Sequence, residues 1–482
     1  MTASGPPSET STGATADDPT DSAAENAADI PTDNPAKDHA ARLATRPVGK
    51  LLWSNTAQAT VSVATYGIYA LTNALFVSRG VGSVAFAAVN LVSPVLLVLG
   101  AVSTTVGTGG ASLVSRSLGA GDTRQAARAA GNAFLVYWTS ALVIGGLGAL
   151  TLDPLLTVLG TDDETHDYAY DYGLIILLGS VTATGFSSLV RAEGRLRYST
   201  MLWVVPILVQ ITLDPVLIFG FGMGVRGAAL GTVGGQSVSM AMSLWFFFGK
   251  RNRPYRITAA DMRPHWPTVR QLVSVGAPSF LSRFGATLVV TLVNNLLARH
   301  GGATALSAYA ICVRIQTLCL MPQLGISHGM QPLVGYNAGR GLAERVARTR
   351  TLALRASVAY GTAVCLLLPA FAGPLCGVFT DEPEVRDEAV RALRIMVSSY
   401  ALAGVATLVS AYFQALGRAG PSYVISLGSI VVVQVPLLLV FDRFGILWLW
   451  ISFPVADAIS AAGALWILSR PTAVARPAKS PP

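Results

Sequence analysis

Charge is the first thing this chain is short of. Only 12% of its 482 residues are Asp, Glu, Lys or Arg, against 52% hydrophobic residues, whereas soluble domains carry about 25% charged residues. That composition, with a mean hydropathy of +0.53, excludes a soluble globular protein and describes a chain that lives in a bilayer. Cysteine is also sparse. Cys312, Cys319, Cys365 and Cys376 lie in or beside apolar segments without metal-type spacing, which excludes a disulfide framework and a zinc site. The basic balance of 34 Lys and Arg to 26 Asp and Glu is dispersed in short loops and lacks interleaved aromatics, so nucleic acid is excluded as a partner. The first 40 residues are rich in Ser, Thr, Ala and Asp and lack the apolar core of a cleavable signal; they read as a disordered tail. Enzymes are excluded as well. A membrane-embedded transferase needs paired carboxylates, a metal cluster or a nucleophile with its base, and the loops on the basic side offer only the mutually isolated Asp122, Glu193, Asp261 and Glu344.

What is present is a duplication. At a constant offset of 220, Arg79 meets Arg299, Gly82 Gly302, Gly109 Gly329, Leu113 and Val114 Leu333 and Val334, Gly119 Gly339, Gly121 Gly341 and Arg128 Arg348. Two repeated halves around a central site is the layout of a transporter. Since a helix needs ~20 apolar residues to cross the hydrocarbon, twelve spans can be drawn, near 53-77, 84-113, 129-152, 168-190, 200-222, 227-248, 272-297, 304-334, 352-377, 391-415, 422-441 and 446-469. Alternating the loops puts 24 Lys and Arg on one side and seven on the other, which makes the basic side cytoplasmic and places both termini there. The opposite loops are acidic, with Asp162, Asp163 and Glu164 in one half and Asp381, Glu382 and Glu384 in the other. Each repeat holds an even number of spans, so the halves are parallel and related by an axis along the membrane normal.

The expectation is an all-α polytopic membrane protein of 12 transmembrane helices in two six-helix lobes related by pseudo-twofold symmetry. It comprises a disordered cytoplasmic tail (1-48), an N-terminal lobe (49-248), a cytoplasmic linker (249-270), a C-terminal lobe (271-470) and a second cytoplasmic tail (471-482), in the inner (plasma) membrane of the cell. It is expected to act as a monomer, with small organic substrates and the bilayer as its partners and no cofactor.

Ionisable groups inside the spans are few, and each costs at least ~2.5 kcal/mol at membrane depth unless it faces a cavity or a partner. Asp214 sits in the fifth span in the run Gln210-Ile211-Thr212-Leu213-Asp214-Pro215. Gln210 lies one turn earlier on the same face, and Pro215 frees a nearby carbonyl. This oxygen-rich pocket suits a carboxylate that carries a proton or coordinates Na+; a structural role capping the broken helix is the competing reading. Asp457 is the other acid clearly within a span, and Arg283 and Arg314 are the intramembrane bases, so an internal Arg-Asp pair in the second half would lower the cost of all three. His328 reads as hydrogen-bonded structure. Tyr66, Tyr69, Phe186, Met321, Met330, Tyr400 and Phe413 suit an apolar substrate wall, although packing explains such residues more often. Glycine-rich runs such as 107-110 and 231-235 read as devices for close helix contact.

The run Leu213-Asp214-Pro215 through Gly227-Ala228-Ala229 closely resembles the fifth-to-sixth-helix signature of the multidrug and toxic compound extrusion (MATE) transporters. So do Arg191-Ala192-Glu193-Gly194, Met321-Pro322-Gln323 through Tyr336-Asn337, and Tyr412-Phe413-Gln414-Ala415-Leu416-Gly417. The resemblance covers about residues 50 to 470 and points to the bacterial DinF-like branch. It implies a V-shaped pair of lobes that exports organic, often cationic or amphipathic compounds in exchange for H+ or Na+. In that branch a first-helix Asp works with Asn and Asp of the fifth helix and Thr of the sixth. Carried over, these positions are Asn73, Gln210, Asp214 and Thr232, so the first-helix acid is missing. The resemblance therefore assigns coupling to Asp214, oriented by Asn73, Gln210 and Thr232, with Asp457, Arg283 and Arg314 as secondary candidates. A flippase for lipids or lipid-linked glycans is the alternative in transport, but its cavity would need several cations for pyrophosphate. Along the repeat Gln210 has a counterpart in Gln434, while Asp214 falls opposite Leu438.

Overall fold

The computed structural model describes residues 35–183, 185–250 and 252–470. Among the described residues nine helices are long and apolar enough to cross a membrane. One of them, Trp266–Gly339, is 74 residues long and contains two spans, because Gly302 inside it leaves helical geometry at φ 56°. Two further helices complete twelve: Val48–Gly80, whose buried face carries Asn55, Thr56, Ser62 and Asn73, and the glycine- and serine-rich Gly224–Leu244. The all-α, two-lobed expectation is therefore met.

The span boundaries move where local geometry intervenes. The second span is split into Ser83–Leu91 and Ser93–Gly119. The tenth begins at Pro383, outside the run drawn from hydropathy, as the polar, strongly amphipathic helix Pro383–Met396, and continues as Tyr400–Ala415. The fifth (Leu196–Pro215) and the eleventh each contain a π-helical turn, at Val216–Gly220 and Gly428–Gln434, beside Pro215 and Pro436. Proline removes an amide from the helical ladder, and a wider turn absorbs the defect.

Part of the stretch read as a disordered tail, and the stretch read as a linker, are ordered. Within the stretch assigned to a tail, Pro35–Thr45 is helical and buries Ala40 and Leu43; residues 1–34, like 471–482, lie outside the described residues. The Asn337 side chain donates to Leu43 O at 3.1 Å and Arg345 Nη2 to Arg46 O at 2.6 Å, fastening this arm to the C-terminal lobe. The linker is tied to the third span (Thr123–Leu150), where Asn132 donates to Asp261 O at 3.0 Å and accepts from His265 N at 2.9 Å. Helix resumes at Trp266, inside the stretch read as linker. Arg253 of the linker reaches Glu193 in a fully buried ion pair, donates to Phe247 O at 2.8 Å and lies 4.5 Å from the ring centres of Phe247 and Tyr255. Burial opposes the Arg253 charge, but the Glu193 carboxylate more than offsets that cost, so the guanidinium is held above its ordinary range.

The repeat is visible in the backbone. Gly82 and its counterpart Gly302 both adopt positive φ (116° and 56°), as do Gly121 and Gly341 (78° and 79°), a conformation that side chains resist. The other paired glycines lie where the lobes meet. A Cβ on Gly119 would overlap the Tyr336 carbonyl, and one on Gly339 the Arg116 carbonyl. Positions 116 and 336 are themselves repeat-equivalent, so the two contacts exchange under the pseudo-twofold. Ser115 and its equivalent Gly335 face each other on that axis: Ser115 donates to Pro332 O at 3.1 Å, and a Cβ at Gly335 would lie 2.7 Å from its hydroxyl. Asn55 to Gly329 O at 3.1 Å and Ser112 to Gln414 O at 2.5 Å add further links across the interface.

These contacts all lie toward the end of the molecule that carries the basic loops. One apolar core there draws on both halves, joining Leu113, Phe134 and Leu189 to Leu333, Leu408 and Phe413. At the opposite end the cores are separate, one made only of N-terminal residues such as Val77, Leu156 and Val225, the other only of C-terminal ones such as Val293, Leu393 and Trp450. The lobes are joined at the basic end and part toward the acidic end. Gly339→Ala is expected to destabilise the protein by roughly 1–3 kcal/mol through overpacking, read as a lowered thermal midpoint. Gly463→Ala, with open space around the new methyl, serves as control, and equal midpoints for the two would contradict this account of the interface.

Candidate functional site

Asp214 stands one residue before the proline that ends regular helix in the fifth span, so its side chain is presented where the backbone widens into the π turn. It is 1% exposed. The structure brings all four positions assigned by the resemblance into one buried cluster: Asn73 of the first span, Gln210 and Asp214 of the fifth, and Thr232 of the sixth. Gln210 Nε2 donates to Thr232 Oγ1 at 2.9 Å, which fixes the amide. Asn73 and Gln210 are the side chains that reach the Asp214 carboxylate. Even so, Asp214 Oδ1 and Asn73 Nδ2 complete no hydrogen bond of standard geometry.

An unpartnered carboxylate oxygen in an apolar interior is costly, and it is the main chemical feature of the pocket. Three neutral side-chain oxygens and one carboxylate can hold a proton or a hard monovalent cation, with a single formal negative charge because Asn73 occupies the first-span position. Sequence reasoning missed Gly231. The glycine-rich run 231-235 was read as a packing device, yet a Cβ at Gly231 would overlap Asp214 Oδ1. The available signal was its place immediately before Thr232, which fixes the facing backbone beside the acid.

The second half does not form the expected internal pair. Asp457 Oδ2 accepts from Ser399 Oγ at 2.7 Å, while Arg283 and Arg314 are exposed and make no ion pair among the described residues. Sequence spacing placed the three groups in neighbouring spans but could not say which way they turn. Ser399 lies in the 3-10 turn Val397–Ser399 that interrupts the tenth span, which brings its hydroxyl to the acid. Leu438, opposite Asp214 in the repeat, is fully buried in the C-terminal core. His328 lines a small cavity of about 30 Å³ with Thr108, Ser112, Ser188, Arg191 and Gln331, close to room for one water.

Of the aromatics and sulfurs read as a substrate wall, Phe186 is buried against Phe134, Tyr137 and Trp138. Met330, Tyr400 and Phe413 are also buried, so these four pack the core. Met321 sets its methyl against Gly67; the side chains of Tyr66 and Tyr69 lie outside the described residues. All four cysteines are free.

Twelve spans in two parallel lobes, joined at one end and enclosing a buried carboxylate in one lobe, define a two-lobed membrane transporter. The MatE family model matches residues 59–216 and 278–440, and the chain belongs to that family, whose members are transporters and not enzymes. A "FAD transporter" of Shewanella oneidensis is 24% identical over 440 residues, covering 89% of this chain and 96% of that protein. "Multidrug export protein MepA" of Staphylococcus haemolyticus is 28% identical over 417 residues, covering 83% and 89%. A solved structure described as the "outward-facing conformation of a multidrug resistance MATE family transporter of the MOP superfamily" superposes with a TM-score of 0.82 at 24% identity, over 90% of this chain and 98% of that one.

Thr232→Ala leaves the buried Gln210 amide without its acceptor and is expected to cost roughly 1–3 kcal/mol, whereas Thr232→Ser keeps the hydroxyl and is expected to cost under about 1 kcal/mol. Thermal unfolding of the purified variants checks the order; equal losses would remove the hydrogen bond from the account of the pocket.

Proposed function

We infer that this protein is a secondary active exporter of organic, amphipathic or cationic compounds, working by antiport with H+ or Na+ through alternating access. The observation that carries this reading is the buried Asp214 carboxylate, one oxygen unpartnered, in the lobe that Asn73, Gln210 and Thr232 complete. Joined cores at the basic end and parted cores at the acidic end fit one of two alternating states, with the basic end cytoplasmic as in the distribution of Lys and Arg. The MepA relative supports drug export as the class of activity.

Coupling follows from differential binding. An ion that neutralises Asp214 favours whichever lobe arrangement keeps this pocket compact, and its release favours the other, so cargo and ion drive each other through one equilibrium. Na+ has a single carboxylate here and three neutral oxygens, which points to a weak cation site. Arg283 and Arg314, exposed and unpaired, favour a second reading in which the cargo carries negative charge, as the FAD of the Shewanella relative does.

Proteoliposomes under imposed pH or Na+ gradients test both. Gradient-driven movement of an organic cation such as ethidium is expected, and Asp214→Asn is expected to reduce it by roughly tenfold, within the 1–3 kcal/mol range of ordinary coupling energies. Undiminished ion dependence in Asp214→Asn would move the coupling elsewhere, with Asp457→Asn the next variant. FAD movement in place of ethidium movement, lost in Arg283→Gln, would establish the anionic reading.

A further inference from the structure

A concentration of cationic side chains lies at the basic end, with none of the Asp214 cluster among its lining. At the basic end a cavity of about 530 Å³ is lined by five cationic side chains, Arg42, Arg46, Arg195, Arg197 and Lys250. None has a carboxylate partner among the described residues. Glu193, the acid nearest in sequence to Arg195 and Arg197, is committed to Arg253. Lys250 instead rests 5.8 Å from the ring centres of Tyr198, Trp245 and Phe246. Burial holds Arg195 and Lys250 below their ordinary ranges; the nearby Glu193 carboxylate offsets part of this for both, while a neighbouring cation adds to it, Arg253 for Arg195 and Arg195 for Lys250.

A topological excess of basic residues explains why cations lie on this side, but it does not explain the rest of the lining. Arg195 Nε is buried without an acceptor, and two buried acceptors, Asn55 Oδ1 and Gln58 Oε1, lack donors in the same cavity. Arg195 Nη2 donates to Asn252 O, but cations without a carboxylate partner still call for an anion, and unpartnered acceptors call for hydroxyl groups beside it. The two walls also belong to different bodies. Arg42 and Arg46 lie in and beside the arm that Asn337 and Arg345 of the C-terminal lobe hold, whereas Arg195, Arg197 and Lys250 belong to the N-terminal lobe.

We propose that this cavity binds a phosphate ester bearing a neighbouring hydroxyl group, and that the bound anion bridges the arm to the N-terminal lobe and so clamps the basic end shut. The phosphate accepts from the guanidinium and ammonium groups, and the hydroxyl donates to Asn55 or Gln58. A phosphatidylglycerol headgroup and a soluble glycerol phosphate share this chemistry. Since the anion touches both bodies only while they are joined, it shifts the equilibrium toward the closed basic end.

Hydrogen–deuterium exchange on the full chain in nanodiscs tests the site. One arm compares phosphatidylcholine with a 3:1 mixture of phosphatidylcholine and phosphatidylglycerol; the other adds sn-glycerol 3-phosphate to phosphatidylcholine alone. With probe at ten times its dissociation constant, amides of both 41–47 and 194–198 are expected to slow by about tenfold. Slowing by the lipid identifies a headgroup, slowing by the soluble ester a free phosphate. Arg42→Gln/Arg197→Gln, in which both altered side chains are exposed, is expected to lose most of the protection. Arg124→Gln/Arg348→Gln, which removes equal charge outside the cavity, is expected to keep it. Should the double variant misfold, Arg197→Gln alone provides the same comparison. Protection by neither probe, protection confined to one segment, or equal protection in the two double variants would overturn the proposal.

Discussion

The structure depends on backbone meeting backbone between the second and eighth spans. Gly119 lies on the Tyr336 carbonyl and Gly339 on the Arg116 carbonyl, with Ser115 and Gly335 between them on the axis. In a bilayer, apolar side chains gain little by leaving lipid for one another, so helices hold together through close van der Waals approach and hydrogen bonds. Small residues at repeat-equivalent places supply that approach twice, once in each direction. With the basic end held this way, the remaining helices of each lobe can pack into separate cores toward the acidic end.

That symmetry stops at the chemistry. Both halves have a π turn beside a proline, in the fifth and eleventh spans, but at different places along the repeat: Asp214 precedes its turn, whereas Leu438 follows the other. Only the first half places a carboxylate there. Its counterpart Leu438 is buried among apolar neighbours, and the acid of the second half, Asp457, arises from a different span with Ser399 as its partner. The scaffold is duplicated while the ionisable pocket at Asp214 belongs to one lobe.

The basic end shows a second division of labour. The arm before the first span is fastened to the C-terminal lobe, and the linker is fastened to the third and fourth spans by Asn132 and by the buried Glu193–Arg253 pair. The arm and the linker are thus each tied to one lobe by side-chain contacts. The cationic cavity lies between the arm and the N-terminal lobe.

The number of spans, their parallel repeat and the location of Asp214 were legible in the sequence, because each depends on quantities carried by single residues or short runs: hydropathy over ~20 residues, the cost of a charge at membrane depth, and glycines recurring at offset 220. The gathering of Asn73, Gln210 and Thr232 around Asp214 was reached through resemblance; composition and spacing stopped at Gln210. Side-chain direction was not legible. Arg283 and Arg314 share a lobe with Asp457 and still do not meet it, because rotation of each helix about its axis is set by all its neighbours at once. For the same reason Gly231 read as packing until the fold laid it against the carboxylate, and an arm read as tail became a wall of a charged cavity. By itself the sequence determined what each segment can be: which stretches must lie in lipid, which must turn, and which groups are too costly to bury idle. Only the tertiary structure decided what each group faces, since contacts between residues tens or hundreds of positions apart depend on the joint packing of twelve helices, which no local run of residues encodes.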